Sequence, residues 1–86
     1  MRIDRTDRFK KAYKNLEDED KQRAEKALCL LVSNISHPSL RVKRIRKTQG
    51  IWEARVSKKM RMTFEMEDDL ILLRNIGQHD KIIDSP

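Results

Sequence analysis

The stretch GIWEARVSKKMRMTFE constrains the fold of this chain most, because apolar and polar side chains alternate in it on both sides of a short loop. Such alternation predicts two half-buried β-strands, at 51–57 and 59–67, that fold back on each other. A three-residue loop keeps the two alternations in phase and places Arg55 directly opposite Arg61. Like charges that face each other across a strand pair are unfavourable. The hairpin therefore predicts a sheet with one apolar face and one open face that carries an arginine pair.

The side chains of this hairpin fall into two sets that face opposite sides of the sheet. The apolar set, which we interpret as core and not as a platform for stacking bases, is Trp52, Ala54, Val56, Met62, Phe64 and Met66. The remaining methionines are interpreted in the same way. The polar set is Glu53, Arg55, Arg61, Thr63 and Glu65. One alternative is that the two glutamates neutralise the two arginines diagonally, as an ordinary surface network that contributes about 0–1 kcal/mol per pair.

The N-terminal half of the chain predicts a short strand followed by a helical hairpin. The strand is MRID, and the first helix lies near 6–16, with Thr6 as its N-cap and apolar residues at helical spacing. Acidic residues and a second apolar stripe predict the next helix at 19–35. His37-Pro38 ends that helix, since a residue before proline avoids the α region, and His37 is expected to fix the turn.

The C-terminal half predicts a meander of about four antiparallel strands, so the fold class is α+β with both helices on one face of the sheet. The outer strands are 40–46, where the alternation slips by one place, and 70–77, which is apolar enough for an interior strand. A two-residue turn at Asp68-Asp69 would place Thr63 opposite Arg74, whereas a three-residue turn would move Arg74 to the other face. The final QHDKIIDSP is a loop, a short strand or a frayed tail.

The length of 86 residues predicts one domain, 1–86, with a modest core. A single cysteine, Cys29, excludes an internal disulfide and fits a reducing compartment. Two widely spaced histidines and that cysteine give no metal-site pattern, and no phosphate-binding loop is present. No apolar run approaches the roughly 20 residues that span a bilayer. We therefore expect a cytoplasmic protein without a metal, a small-molecule cofactor or a membrane partner.

The net charge of +6 is concentrated in one part of the chain. Residues 41–61 hold nine basic side chains and one acidic side chain, for a net +8, whereas 62–86 hold two and six, for a net −4. A concentration of this kind indicates a polyanionic partner, nucleic acid first. The residues expected to bind phosphates without reading sequence are Lys43, Arg44, Arg46 and Lys47.

Residues 37–80 strongly resemble the RelE/ParE superfamily of bacterial and archaeal type II toxins. The most specific stretches are HPSLRVKRIR, GIWEARVS, MRMTFE and LLRNIGQHD. RelE-type members cut messenger RNA in the ribosomal A site, whereas ParE-type members poison DNA gyrase. Both are silenced by an antitoxin that wraps around them. The resemblance therefore implies a RelE-like fold and a cognate antitoxin partner, with the ribosome and messenger RNA as further partners in the RelE case.

The resemblance also implies a set of site residues. Arg55 and Arg61 match the basic residue on the third strand and the arginine that begins the fourth strand of RelE, and His79 lies where RelE-like enzymes place a functional basic residue. Asp80 is expected to lie at the substrate site and to orient the imidazole. The departures are Glu53 in place of a second RelE lysine, and the absence of a tyrosine after His79. The histidine and aspartate that the histidine-using branch places on its middle strands are also absent.

These residues suit RNA cleavage by attack of the 2′-hydroxyl on the adjacent phosphate without a metal. Guanidinium groups can stabilise charge on the phosphorane, and an imidazole can transfer protons near neutral pH. The leading hypothesis is a ribosome-dependent endoribonuclease with Arg55, Arg61 and His79 as catalytic residues. The alternatives are a ParE-like gyrase poison without nuclease activity, and a nontoxic basic module that binds only its antitoxin or a nucleic acid.

Overall fold

The computed structural model describes residues 1–86 as one five-stranded sheet with helices packed against it. The elements are β1 (Arg2–Arg5), α1 (Asp7–Lys14), α2 (Asp18–Ser33), a 3-10 turn (Pro38–Leu40), β2 (Lys43–Arg44), β3 (Ile51–Arg55), β4 (Met60–Glu67), β5 (Leu70–Gln78) and α3 (His79–Ile82). The strand order is β1-β5-β4-β3-β2. β1 runs parallel to β5, and every other neighbouring pair is antiparallel. The predicted α+β class, with a short strand, two helices and a four-stranded meander, is confirmed.

The two long helices begin and end within a few residues of the predicted bounds. The backbone N–H of Phe9 donates to the Thr6 hydroxyl at 3.1 Å, so Thr6 is the N-cap of α1. The same hydroxyl donates to the carbonyl of Arg74 at 3.0 Å, which ties the start of α1 to β5. The Tyr13 hydroxyl donates to Glu25 at 2.6 Å and links α1 to α2. No helix of the chain combines the length and the apolar character that crossing a membrane requires.

The main hydrophobic core lies between the helices and one face of the sheet. Its largest members are Phe9 on α1, Leu31 on α2, and Met62, Phe64 and Leu73 on the sheet. Trp52 and Val56 are half-buried against it. Met66 is 38% exposed, so its assignment to the core was wrong, as was that of Met1. Met66 lies at the end of β4 nearest the exposed Asp68-Asp69 turn, away from the helices.

The predicted strand 40–46 is for the most part a turn. Leu40 is buried at the end of the 3-10 turn, Arg41 has left-handed backbone with φ of 45°, and only Lys43–Arg44 pair with β3. The Nδ1 atom of His37 accepts a hydrogen bond from the backbone N–H of Ser39 at 3.2 Å. The predicted role of His37 in fixing this turn is confirmed. Its local hydrogen bonding competes with the extended conformation that the alternation favoured.

A bulge between β4 and β5 resolves the register that the sequence left open. The turn at Asp68-Asp69 has two residues, but Thr63 lies opposite Asn75 and Phe64 lies opposite Leu73. Arg74 is therefore the extra residue of the bulge and has no direct partner on β4. Its side chain bonds Glu65 and the Pro86 carbonyl, so it lies on the same face as Thr63, which is the face that the two-residue turn predicted. A bulge shifts the alternation of the strand that contains it by one residue. This shift allows Leu73 and Ile76 to reach the same core.

The C-terminal segment, residues 79–86, covers part of the sheet face opposite the helices. The Thr63 hydroxyl donates to the Pro86 carbonyl at 2.8 Å, and the Asn75 side chain donates to the Ser85 carbonyl at 3.1 Å. Ile82 is 1% exposed, although it lies outside the main core. The face that we expected to be open is thus closed over β4 and β5, and the arginine pair lies at the edge of the covered part.

Candidate functional site

The arginine pair lies where β3 ends and β4 begins. Arg55 is the last residue of β3, and its partner across the strand pair is Arg61. The backbone N–H of Val56 donates to the carbonyl of Met60 at 3.0 Å, so the loop has the three residues that the alternation predicted. Both arginine side chains are half-buried. The predicted juxtaposition is confirmed, although its function is a separate question.

The Arg61 guanidinium is held from one side by the loop beside it. Its Nη1 atom donates to the carbonyls of Ser57 at 2.7 Å and Met60 at 3.0 Å. Burial lowers the pKa of Arg61 from its usual range, nearby Arg55 acts in the same direction, and Glu53 opposes the shift. The Nε and Nη2 atoms make no hydrogen bond within the chain. These two atoms form the side of a guanidinium that can bind a phosphate through two parallel N–H···O hydrogen bonds.

Neither glutamate of the hairpin forms an ion pair with Arg55 or Arg61, although the charge of Glu53 is near enough to act on Arg61. Glu53 is 3% exposed and pairs with Lys43 on the neighbouring strand at 3.5 Å. Glu65 accepts a hydrogen bond from Arg74 at 2.6 Å. The diagonal network is therefore wrong, because β2 and the bulge in β5 supply other cations that lie nearer to the carboxylates. Neither Arg55 nor Arg61 has an ion-pair partner in the chain.

His79 begins α3 immediately after β5, close to the loop of the arginine hairpin. Its backbone N–H donates to the carbonyl of Lys59 at 2.8 Å. Arg61 lies opposite Gly77, and His79 follows that glycine by two residues, just past the end of β5. The Nδ1 atom lies 3.6 Å from the Asp80 carboxylate, which is fully exposed. That distance is too long for a hydrogen bond, so Asp80 does not hold the imidazole in one orientation.

The four predicted phosphate-binding residues lie in two separate places. Lys43, Arg44 and Arg46 line a cleft of about 550 Å³, which Ile83 of the C-terminal segment closes on one side. Lys47 lies outside that cleft, on the turn between β2 and β3, with left-handed backbone at φ of 65°. The structure thus brings three of the four predicted phosphate-binding residues together. Nowhere in the chain do three or more metal-binding side chains form a group that could hold an ion.

Comparisons with known proteins identify the fold through structure and not through sequence. No protein-family model and no curated protein matches the sequence. Solved structures do match nearly the whole chain, three of them being those of YafQ, a RelB–RelE complex and YoeB. YafQ from Escherichia coli strain BL21(DE3) is 17% identical over 95% of this chain and 98% of its own, with a TM-score of 0.81. The RelB–RelE antitoxin–toxin complex from Methanococcus jannaschii matches at 19% identity, 95% and 98% coverage and a TM-score of 0.74. The YoeB dimer from Staphylococcus aureus is 14% identical, covers 92% of this chain and 97% of its own, and matches with a TM-score of 0.75.

The chain has the RelE toxin fold. The resemblance noted in the sequence is therefore confirmed at the level of the fold, from the first strand to the last. In this fold Arg55 and Arg61 lie at the loop end of the hairpin formed by β3 and β4, and a backbone hydrogen bond joins His79 to that loop.

One residue beside the site was missed by the sequence analysis. Arg41 follows the 3-10 turn and lines the same cleft as Arg55. Its charge is near enough to act on Arg61, whose pKa it helps to lower after burial, the main cause. The sequence analysis placed Arg41 in a strand at 40–46, together with other basic residues, and a strand there gave no reason to expect Arg41 beside Arg55. The HPSL stretch before it was the available signal, since a turn there redirects the residue that follows.

Proposed function

We propose that the chain is the toxin of a type II toxin–antitoxin system and a ribosome-dependent endoribonuclease that cleaves messenger RNA. The observation that carries this proposal is the pairing of Arg55 with Arg61 across the hairpin, without a carboxylate partner for either. Two cations held together in this way repel each other until an anion binds between them. The RelE fold supports the choice of RNA phosphate as that anion, because RelE-type members of the superfamily cut messenger RNA.

The chemistry begins with attack of the RNA 2′-hydroxyl on the neighbouring phosphate. Negative charge then builds up on the phosphorane oxygens, and the free Nε–Nη2 side of Arg61 is positioned to bind two of them. Arg55 supplies a second guanidinium across the strand pair. Donors aimed at developing charge are usually the largest catalytic contribution, and the loss of one lowers the rate by about 10²- to 10³-fold. No metal ion is needed for this route.

His79 is the side chain proposed to transfer protons in this reaction. As the bond from the 2′-oxygen to phosphorus forms, the proton of the 2′-hydroxyl passes to water. The bond from phosphorus to the 5′-oxygen then breaks, and the protonated imidazole, which changes charge near neutral pH, donates its proton to that departing oxygen. The hydrogen bond from its backbone to Lys59 holds it beside the hairpin loop. Asp80 is proposed as an exposed contact to substrate, since it does not reach the imidazole by a hydrogen bond.

The proposed partners of this chain are an antitoxin and RNA, and they are inferred from the positive charge of residues 41–61 and from the structures of related complexes. DinJ–YafQ and RelB–RelE are toxin–antitoxin complexes. We propose that an antitoxin supplies acidic and apolar side chains to cover residues 41–61 of this chain and the exposed edge of its sheet. Such a partner would stabilise the toxin by mass action. Lys43, Arg44, Arg46 and Lys47 are proposed to hold phosphates of the messenger or of ribosomal RNA.

A translation extract programmed with one defined message tests the proposal. Purified protein should produce cuts within codons that primer extension maps, and Arg55→Ala should lower the cleavage rate about 10²-fold or more. Arg2→Ala, which removes the same charge from the exposed strand β1, is the matched control and should cleave as the wild type does. Arg61→Lys is preferable to Arg61→Ala, because a lysine can still bond the loop carbonyls.

Three outcomes would contradict this function. Intact message at high protein concentration would exclude the nuclease. Accumulation of cleaved DNA with purified gyrase, while translation continues, would identify the ParE-like alternative instead. Expression without growth arrest and without either lesion would leave only the nontoxic binding module.

A further inference from the structure

A second cationic cleft opens on the other side of Arg55, between α2 and the 3-10 turn. It measures about 490 Å³, which lies within the roughly 300–1,000 Å³ of ordinary small-molecule sites. Lys26 on α2, Arg41 after the turn and Arg55 at the end of β3 line it, and no acidic side chain does. The cleft is therefore a concave surface with three positive charges and none to balance them.

The cations of this cleft are not occupied by the rest of the chain. Arg41 and Arg55 make no ion pair, and no side-chain hydrogen bond holds either of them. Arg41 is also presented by left-handed backbone, with φ of 45°, a conformation that costs energy for a residue other than glycine. The turn that imposes this conformation is secured by His37, whose Nδ1 atom binds Ser39. The fold thus holds an unpaired guanidinium at the mouth of the cleft.

Part of the cleft lining is apolar. Leu30 from α2 and Val56 from the end of β3 line it as half-buried side chains, above the fully buried Leu40. An inorganic anion needs only the charges, whereas an apolar surface beside them suits a ligand with both a phosphate and a flat organic group. A nucleotide of single-stranded RNA has this combination. Unstacked bases stack on the planes of arginine side chains, and a base held in a pocket packs between aromatic or apolar side chains.

We infer that this cleft is a binding site for one nucleotide of the RNA strand next to the bond that is cut. Its phosphate binds Arg41 and Arg55, and its base lies against Leu30 and Val56. This inference rests on the proposed function, because Arg55 connects the cleft to the Arg61 side of the hairpin. The strand then runs from the hairpin towards α2, on the opposite side from the cleft formed by Lys43, Arg44 and Arg46.

The inference is tested by binding of a fluorescent, fully 2′-O-methylated RNA oligonucleotide, which cannot be cut. Arg41→Asn removes the cation and retains a residue that tolerates left-handed backbone. It should weaken binding about tenfold, the factor that about 1.4 kcal/mol represents, and should lower the salt dependence by about one released counterion. Lys26→Ala, on an exposed helix position, should act in the same direction by a smaller factor. Arg2→Asn is the matched control, with binding within about twofold of wild type.

Methyl NMR locates the ligand in the same samples. The Leu30 and Val56 methyl resonances should shift when the oligonucleotide is added to the wild type and should stay in place in Arg41→Asn. The inference is overturned if Arg41→Asn binds like Arg2→Asn, if those methyls do not move, or if no oligonucleotide binds at all.

Cleavage of ribosome-bound message separates this inference from the proposed function. Unchanged affinity in Arg41→Asn, together with cleavage by the wild type, would refute the cleft and leave the nuclease intact. Binding that depends on Arg41, in a protein that cuts no message, would support the cleft as a nucleotide site and refute the nuclease.

Discussion

The two faces of the sheet are covered to different extents and by different means. On the helix side, Phe64 and Met62 are fully buried among apolar side chains of α1 and α2. On the other side, Thr63 and Glu53 are nearly as inaccessible, under a C-terminal segment that contributes one buried apolar side chain, Ile82. The first face is closed by packing, and the second mostly by hydrogen bonds to backbone carbonyls.

This difference predicts unequal stability for the two faces. Full burial of a large apolar side chain contributes about 1.5–3 kcal/mol, whereas a typical hydrogen bond contributes a net 0.5–1.5 kcal/mol. The C-terminal segment should therefore open far more often than the helices detach. Because His79 begins that segment, the part of the molecule that moves most easily includes a residue of the proposed site.

The largest expected effect comes from the helix side. Phe64→Ala should lower the free energy of unfolding by about 3–5 kcal/mol, because it removes a fully buried ring and leaves a cavity. Met66→Ala is the control on the same strand, and its exposed position should change stability by less than about 0.5 kcal/mol. Urea unfolding followed by circular dichroism measures both. Equal losses in the two variants would contradict the burial of Phe64 in the core and the exposure of Met66 at the end of the same strand.

A smaller, local effect is expected on the other face from Ile82→Ala. Loss of the one buried anchor should destabilise the closed position of the segment by about 1–2 kcal/mol, so the amide of His79 should exchange roughly tenfold faster. Ile83→Ala, at a position 45% exposed, should leave that exchange nearly unchanged. The amide of Phe64 is the internal reference for global unfolding. If it accelerates as much as that of His79, the two faces open together and the comparison fails.

The smallest effect concerns a polar link within the helix layer. Tyr13→Phe should cost about 0.5–1 kcal/mol, through loss of the hydrogen bond to Glu25. That bond raises the pKa of Tyr13 above its usual 10.0, with burial as a further cause. A raised pKa in the folded state means that the contribution is complete below pH 10 and is lost as pH rises through the folded value. The difference in melting temperature between wild type and Tyr13→Phe should therefore shrink above pH 10, and a constant difference would exclude this bond as its source.

Much of the fold and the centre of the candidate site could be predicted from local pattern. Alternation in the hairpin, combined with a loop length that preserved it, was sufficient to place Arg55 opposite Arg61. The segment 40–46 was predicted less well, because a histidine side chain that binds its own turn outweighs a weak alternation. Arg41 was consequently overlooked, although the cleft beside Arg55 depends on it.

The sequence by itself determined which side chains share a face, because the periods of strands and helices are properties of the local backbone. It also determined the concentration of charge in residues 41–61. Only the tertiary structure decided which carboxylates reach which cations, where β5 bulges, and that residues 79–86 return to cover Thr63. Those outcomes depend on contacts between residues far apart in the chain, and no local period encodes them.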